Sequence, residues 1–168
     1  MADGVRIEVK GAEEALGTLS EAVARTEHPR DLFDAIGASL VVSTQRRFEI
    51  GEDPDGSPWP ASIRVLLQGG RTLIDTANLL RSITHEASDA GVAVGTDVAY
   101  AATHQFGATI RPVRARSLVF RLGGANTPLV FAREVTIPAR PFLGLDAEDE
   151  EEIEAIAADW LIGDEESR

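Results

Sequence analysis

The sequence predicts an α+β fold, with an antiparallel or mixed β-sheet packed against one long and several short helices, in a single domain with extended loops. Three observations carry that reading. Val5, Ile7 and Val9 alternate with Arg6, Glu8 and Lys10, the period-two signature of a strand with one face on a core. After Pro29, the residues Leu32, Phe33, Ile36, Leu40 and Val41 recur at helical spacing and sustain a broad apolar face through to Phe48, which makes this the longest helix predicted. Short apolar runs at Ile83 to Ala87 and Val92 to Gly95, and again at Leu118 to Leu122 and Leu129 to Val135, are separated by turn-forming residues and read as hairpins, with Gly123 and Gly124 supplying positive φ in the second.

The intervening segments are read from local chemistry. Gly11 ends the first strand, and Ala12 to Arg25 carries Leu16, Leu19 and Val23 at helical spacing with acids early, where the helix dipole favours them. From Gly51 to Pro60, GEDPDGSPWP holds three prolines and two glycines and is read as a loop. Trp59 either anchors that loop to the core or offers a partner an exposed contact, and the anchor is favoured because tryptophan is usually well buried. Asp53 and Asp55 lack the spaced ligands and closing glutamate of a calcium loop. After a turn at Gly69-Gly70, Leu73 to Ile83 predicts a short helix capped by Asp75 or Thr76, with Leu79, Leu80 and Ile83 facing inward. Thr109 to Val113 is expected to be an extended arm. In IPARPFLGL, residues 137 to 145, Pro138 and Pro141 hold the backbone extended and Phe142, Leu143 and Leu145 form an apolar edge beside Arg140. A final helix over about 147 to 162 sets Ile153, Ile156, Trp160 and Leu161 against a wall of carboxylates.

The stretch from Val94 to Gly107, VGTDVAYAATHQFG, organises the rest. Val92 and Val94 belong to a strand, Gly95 and Thr96 turn the chain, and Asp97 is placed to cap the next helix. Tyr100 and His104, four residues apart, share one face of that helix, Ala101 and Ala102 admit a close neighbour, and Gly107 stops it. The residues before Val94 build a helical layer and a loop. Those after Gly107 are expected to complete the sheet, with 1–145 as the core and 146–168 as an acidic helix and tail.

Composition narrows the function. The 168 residues, 43% hydrophobic and 26% charged, are those of an ordinary globular chain, and the absence of cysteine excludes disulfides and cysteine-ligated metal. The start, MADGVRIEVKG, lacks the layout of a signal peptide, no run approaches membrane-spanning length, and the chain is expected to be made and used in the cytosol. The net charge of −12 is concentrated between Asp146 and Glu166, which disfavours a grip on nucleic-acid phosphates. Arg46-Arg47 and the group Arg111, Arg114, Arg116 are read as solvated or paired with carboxylates. A hydrolase can be sketched from His104 with Asp97 and His85, yet no nucleophile motif accompanies them, and His104 is expected instead to hydrogen-bond a backbone group. The glycine pairs at 69 and 123 match no phosphate loop.

FEIGEDPDGSPW, LIDTANLLRSI, VGTDVAYAATHQFG and IPARPFLGL, in that order, resemble the phage virion morphogenesis family of tail completion proteins from Mu-like and P2-like contractile-tailed phages. The most specific pieces are Tyr100, Ala101, His104, Gln105, Phe106 and Gly107, and the box from Arg140 to Gly144; Ala77 stands where the family commonly has glycine. The resemblance implies a structural, non-enzymatic protein of the virion, assembled in the host cytoplasm, that finishes the tail at its head-proximal end and enables head–tail joining. It implies no cofactor and no catalytic or metal-binding residue. The expected partners are further copies of the chain in a closed ring, expected to be a hexamer, tail tube or terminator proteins, and connector proteins, with genomic DNA passing through unbound and no membrane involved. Trp59, Tyr100, His104, Phe106, Gly124, Asn126, Arg140 and Phe142 are the expected interaction residues, and the acidic C-terminal helix is expected to face the DNA path or a basic partner. A neck or head-closure component is the alternative within the same class, and a small hydrolase using His104 the alternative outside it.

Overall fold

Helix α1 (Arg30–Ile50) is the spine of the molecule, buried along Leu32, Ile36, Leu40, Thr44 and Phe48. The computed structural model describes residues 5–7, 29–122 and 127–166; the helix expected over Ala12 to Arg25 and the turn residues 123–126, Gly124 and Asn126 among them, lie outside the described residues. Against α1 lies a three-stranded antiparallel sheet of β1 (Val5–Ile7), β2 (Thr84–Ser88) and β3 (Gly91–Thr96), in the order β1-β3-β2. The β2–β3 hairpin runs in register from Thr84↔Gly95 to Ser88↔Gly91, and Ser88 closes its tip by donating to the Gly91 carbonyl. Gly37 sets the closeness of helix to sheet: a Cβ there would stand 2.4 Å from the His85 ring and 2.7 Å from Val92. His85 in turn pairs with Asp34 of α1 at 3.0 Å.

The strands after Gly107 do not complete this sheet. β4 (Ala108–Ile110) pairs with β7 (Val135–Ile137), and β5 (Leu118–Arg121) pairs with β6 (Leu129–Ala132), as two separate antiparallel ladders. The apolar run Leu129 to Val135, read as one strand from sequence, is broken at Arg133-Glu134, where Glu134 turns to pair with Arg111 at 2.9 Å; Val135 therefore belongs to the other ladder. Residues 108–137 thus leave and rejoin the body through β4 and β7, and β5–β6 forms a two-stranded ribbon beyond them.

The core closes around three rings. Phe48 and Phe142 are fully buried, and Phe48 meets Trp59 edge-on at 5.5 Å and Phe142 at 5.2 Å. Trp59 is the anchor of its loop, 7% exposed with its indole N–H donating to the Pro141 carbonyl at 2.8 Å. Asp53 folds the same loop by accepting from the backbone N–H groups of Asp55 and Ser57.

Helix α5 (Ala147–Glu166) packs on α1 through Ile153 and Ala157, with Ile156 and Trp160 half-buried and Leu161 exposed. It begins with a reciprocal cap in which the Asp146 carboxylate accepts from the Asp149 N–H at 2.9 Å, and Asp149 accepts from the Asp146 N–H at 3.1 Å. Both carboxylates also bind Arg47, which is 3% exposed and donates as well to the Gly144 carbonyl. The expectation that the paired arginines meet carboxylates is met here, and on the surface by Arg46 with Glu148. Burial alone would raise the Asp146 carboxyl, but the hydrogen bond from Arg47, the backbone N–H groups and the Arg47 charge outweigh it and hold the pKa below the ordinary range. A buried arginine stripped of its buried partner is left poorly compensated. Asp149→Ala is therefore expected to destabilise the fold by about 3 kcal/mol, measured by urea unfolding, whereas Glu148→Ala at the exposed pair is expected to change stability by less than about 0.5 kcal/mol.

Candidate functional site

Three short helices and a left-handed turn surround one cleft. Helix α2 (Ile63–Gln68), not foreseen from sequence, starts at Ser62, whose hydroxyl accepts from the Val65 N–H. Arg64 reaches back from it to donate to the Arg71 and Ile74 carbonyls and so fixes the adjoining loop. Helix α3 (Asn78–Arg81) is shorter than expected, and neither Asp75 nor Thr76 caps it. The cap position is Ala77, held at φ 59°, because the chain enters through a left-handed turn rather than through an extended capping residue. Helix α4 (Ala101–Phe106) likewise begins after Tyr100 without a side-chain cap. Asp97 does not cap it; the preceding turn is made by Thr96, whose hydroxyl accepts from the Val98 N–H at 3.2 Å. Gly107 ends α4 at φ 71°, with the backbone N of Ala139 only 2.8 Å from where a Cβ would lie.

The cleft has a volume of about 300 Å³ and brings together Tyr100, His104 and Arg140, with Arg64, Asn78 and Ala77 on its other walls. Asn78 donates to the Tyr100 hydroxyl at 3.3 Å, and the Tyr100 and His104 rings meet edge-on at 5.9 Å. The His104 side chain does not make the backbone hydrogen bond expected of it, since its Nδ1 is buried without a partner among the described residues. The pinning is done by its carbonyl, which accepts from the Arg140 N–H at 2.6 Å. Arg140 is itself buried, donates through Nε to the Pro60 carbonyl, and meets no carboxylate among the described residues. Desolvation, and then the nearby Arg140 charge, lower the His104 pKa below 6.5, so the ring is neutral at pH 7.

The hydrolase sketch does not assemble. Asp97 and His85 do not line this cleft, His85 is engaged with Asp34, and the Ser82 hydroxyl is tied to the Leu79 carbonyl and to Thr96. Of the other expected interaction residues, Trp59 and Phe142 are core residues that a partner cannot reach in the folded protomer, because they pack on Phe48. Tyr100 and Phe106 are exposed.

Gln105 enters the sequence reading only within the family motif, with no contact assigned to it. It is 6% exposed; its Oε1 accepts from the Phe142 and Leu143 N–H groups, and its Nε2 donates to the Leu143 carbonyl. A glutamine sharing a helix face with Ala101 and Ala102, at i−4 and i−3, was the available signal. Also unforeseen were the exposed apolar residues Ile63, Leu66 and Leu67 of α2 and Val119 and Phe131 of the ribbon.

Comparison with known proteins finds sequence likeness over almost the whole length of the chain. The chain belongs to the phage virion morphogenesis family, which matches residues 7–162. It is 33% identical over 149 residues to Mu-like prophage FluMu G protein 2 of Haemophilus influenzae, covering 89% of this chain and 90% of that one. It is 30% identical over 158 residues to the putative capsid assembly protein G of Escherichia phage Mu, covering 89% and 87%. No solved structure matches it significantly. The protein is thus one of phage particle assembly, and among the described residues no helix is long and apolar enough to cross a membrane.

The cleft leads to two expected outcomes. Because the folded state resists protonating His104, the unfolded chain takes up a proton first as pH falls through about 6.5, and stability is lost over that descent. NMR titration is expected to place His104 below 6.5, and His104→Gln to flatten the stability loss as pH falls below about 6.5. At Ala77, relief of a left-handed β-carbon outweighs the entropy of added backbone freedom, so Ala77→Gly is expected to stabilise the fold by about 0.5–1 kcal/mol in thermal unfolding.

Proposed function

We propose that this protein acts at the head-proximal end of a phage tail, as a ring of copies that completes the tail and makes it competent to join the filled head. The observation that carries the reading is the family match over nearly the full chain, to relatives from Mu and a Mu-like prophage. The surface supports it, because the chemistry of an enzyme does not converge at the cleft while several large apolar side chains stand exposed. Such side chains in water are stabilised by neighbours in an assembly. A closed ring presents one repeated surface to the tube below and another to the connector above.

A second reading, head closure, is favoured by one particular: the phage Mu relative is described as a putative capsid assembly protein. Both are structural roles in the same virion, and one experiment separates them. Lysates of a phage carrying a stop codon in this gene are examined by electron microscopy, and mixed with purified wild-type tails. Full heads lying beside separate tails, with joining restored by added tails, are the expected result. Restoration only by added heads would assign the protein to head closure, and normal particles would overturn both readings.

A further inference from the structure

We infer that the arm formed by residues 108–137 docks on the acidic outer face of α5 in the next copy of this chain, and that this contact builds the ring; the inference rests on the assembly reading above. Three observations lead to it. Among the described residues β5 pairs only with β6 and β4 only with β7, and an isolated two-stranded ribbon is marginal in water. Its outer face is nonetheless apolar, with Val119 and Phe131 directly opposite one another, 53% and 67% exposed, and Leu129 beside them. A ribbon of this kind is completed by a further surface, and no third strand among the described residues joins it.

The arm also carries a charge opposite to the rest of the chain. Residues 108–137 hold five arginines and one glutamate, a net charge of +4, in a protein whose net charge is −12. Arg111 is paired with Glu134 inside the arm, while Arg114, Arg116 and Arg133 are exposed and meet no carboxylate among the described residues.

The complement lies on α5. Residues 146–166 hold eleven acids and no base. Asp149 is spent on Arg47, and Glu148 on Arg46, but Glu150, Glu151, Glu152 and Glu154 are exposed and meet no cation among the described residues. Glu151, Glu154, Ala155, Ala158 and Leu161 fall on one outer face by helical spacing. The alanines leave room for the flat ribbon, Leu161 meets its apolar side, and the glutamates receive its arginines. Because arm and helix are different surfaces, the contact is head-to-tail, the kind that closes into a ring. The acidic face then serves a neighbouring subunit rather than the DNA path.

The test is self-association of the full-length protein by analytical ultracentrifugation at low and high salt, with duplex DNA as a second probe. Wild type is expected to assemble, and to dissociate as salt rises. Arg114→Glu with Arg116→Glu, and separately Glu151→Arg with Glu154→Arg, are each expected to weaken assembly roughly tenfold or more with unchanged circular dichroism and melting. An equimolar mixture of the two variants is expected to recover paired species, since each supplies the surface that the other has inverted. Folded variants that assemble like wild type would overturn the inference, as would a mixture that fails to pair. A wild-type protein that stays monomeric at every salt, or whose arm binds duplex DNA instead, would also overturn it. None of these failures touches the stop-codon experiment, which tests the assembly role itself.

Discussion

The structure depends on burying a stretch of irregular backbone. From Arg140 to Asp146 the chain runs through the interior with neither helix nor sheet to bond its peptide groups, and each buried N–H or C=O left unmatched costs about 1–3 kcal/mol. Side chains and loops from the rest of the molecule supply the partners. Gln105 takes both the Phe142 and Leu143 N–H groups and returns a bond to Leu143, His104 accepts from Arg140, Trp59 donates to Pro141, and Arg47 donates to Gly144. The two boxes that look separate in the sequence, around Gln105 and around Phe142, are thereby one hydrogen-bonded unit.

That unit also explains the placement of charge. Arg47 must be buried to reach Gly144, so it needs carboxylates, and the start of α5 brings Asp146 and Asp149 to it. The acidic helix is locked to α1 by its first turn and by Ile153 and Ala157, leaving Glu150, Glu151, Glu152, Glu154 and Asp159 turned outward. Surface acidity and core integrity are consequences of the same helix, with different residues assigned to each.

Much of this was legible beforehand. The spacing of Leu32, Ile36, Leu40 and Phe48 sufficed for α1, the alternation around Val92 and Val94 for the hairpin, and two prolines for the extended run that carries Phe142. Helix entries were harder to read. Asp75, Thr76 and Asp97 are the residue types that cap, but Ala77 takes a left-handed turn and Thr96 shapes the approach to α4, since the route of the chain into each helix is set by what it packs against. The candidate site was legible only in part. Tyr100, His104 and Arg140 do share a cleft, whereas Trp59 and Phe142 proved to be core rings, because an aromatic residue reads the same in sequence whether it anchors or binds.

By itself, the sequence determined the fold class, the long helix, the hairpins and the lopsided charge, which rest on periodicity and composition within short windows, and its motifs carried the resemblance to the family. Only the tertiary structure decided that the last four strands form separate ladders instead of one sheet, that Gln105 and Arg47 hold the buried segment, and that among the described residues no third strand joins the basic ribbon. Those features depend on which distant groups must satisfy one another once water is excluded, and that pairing is a property of the packed chain rather than of any stretch of it.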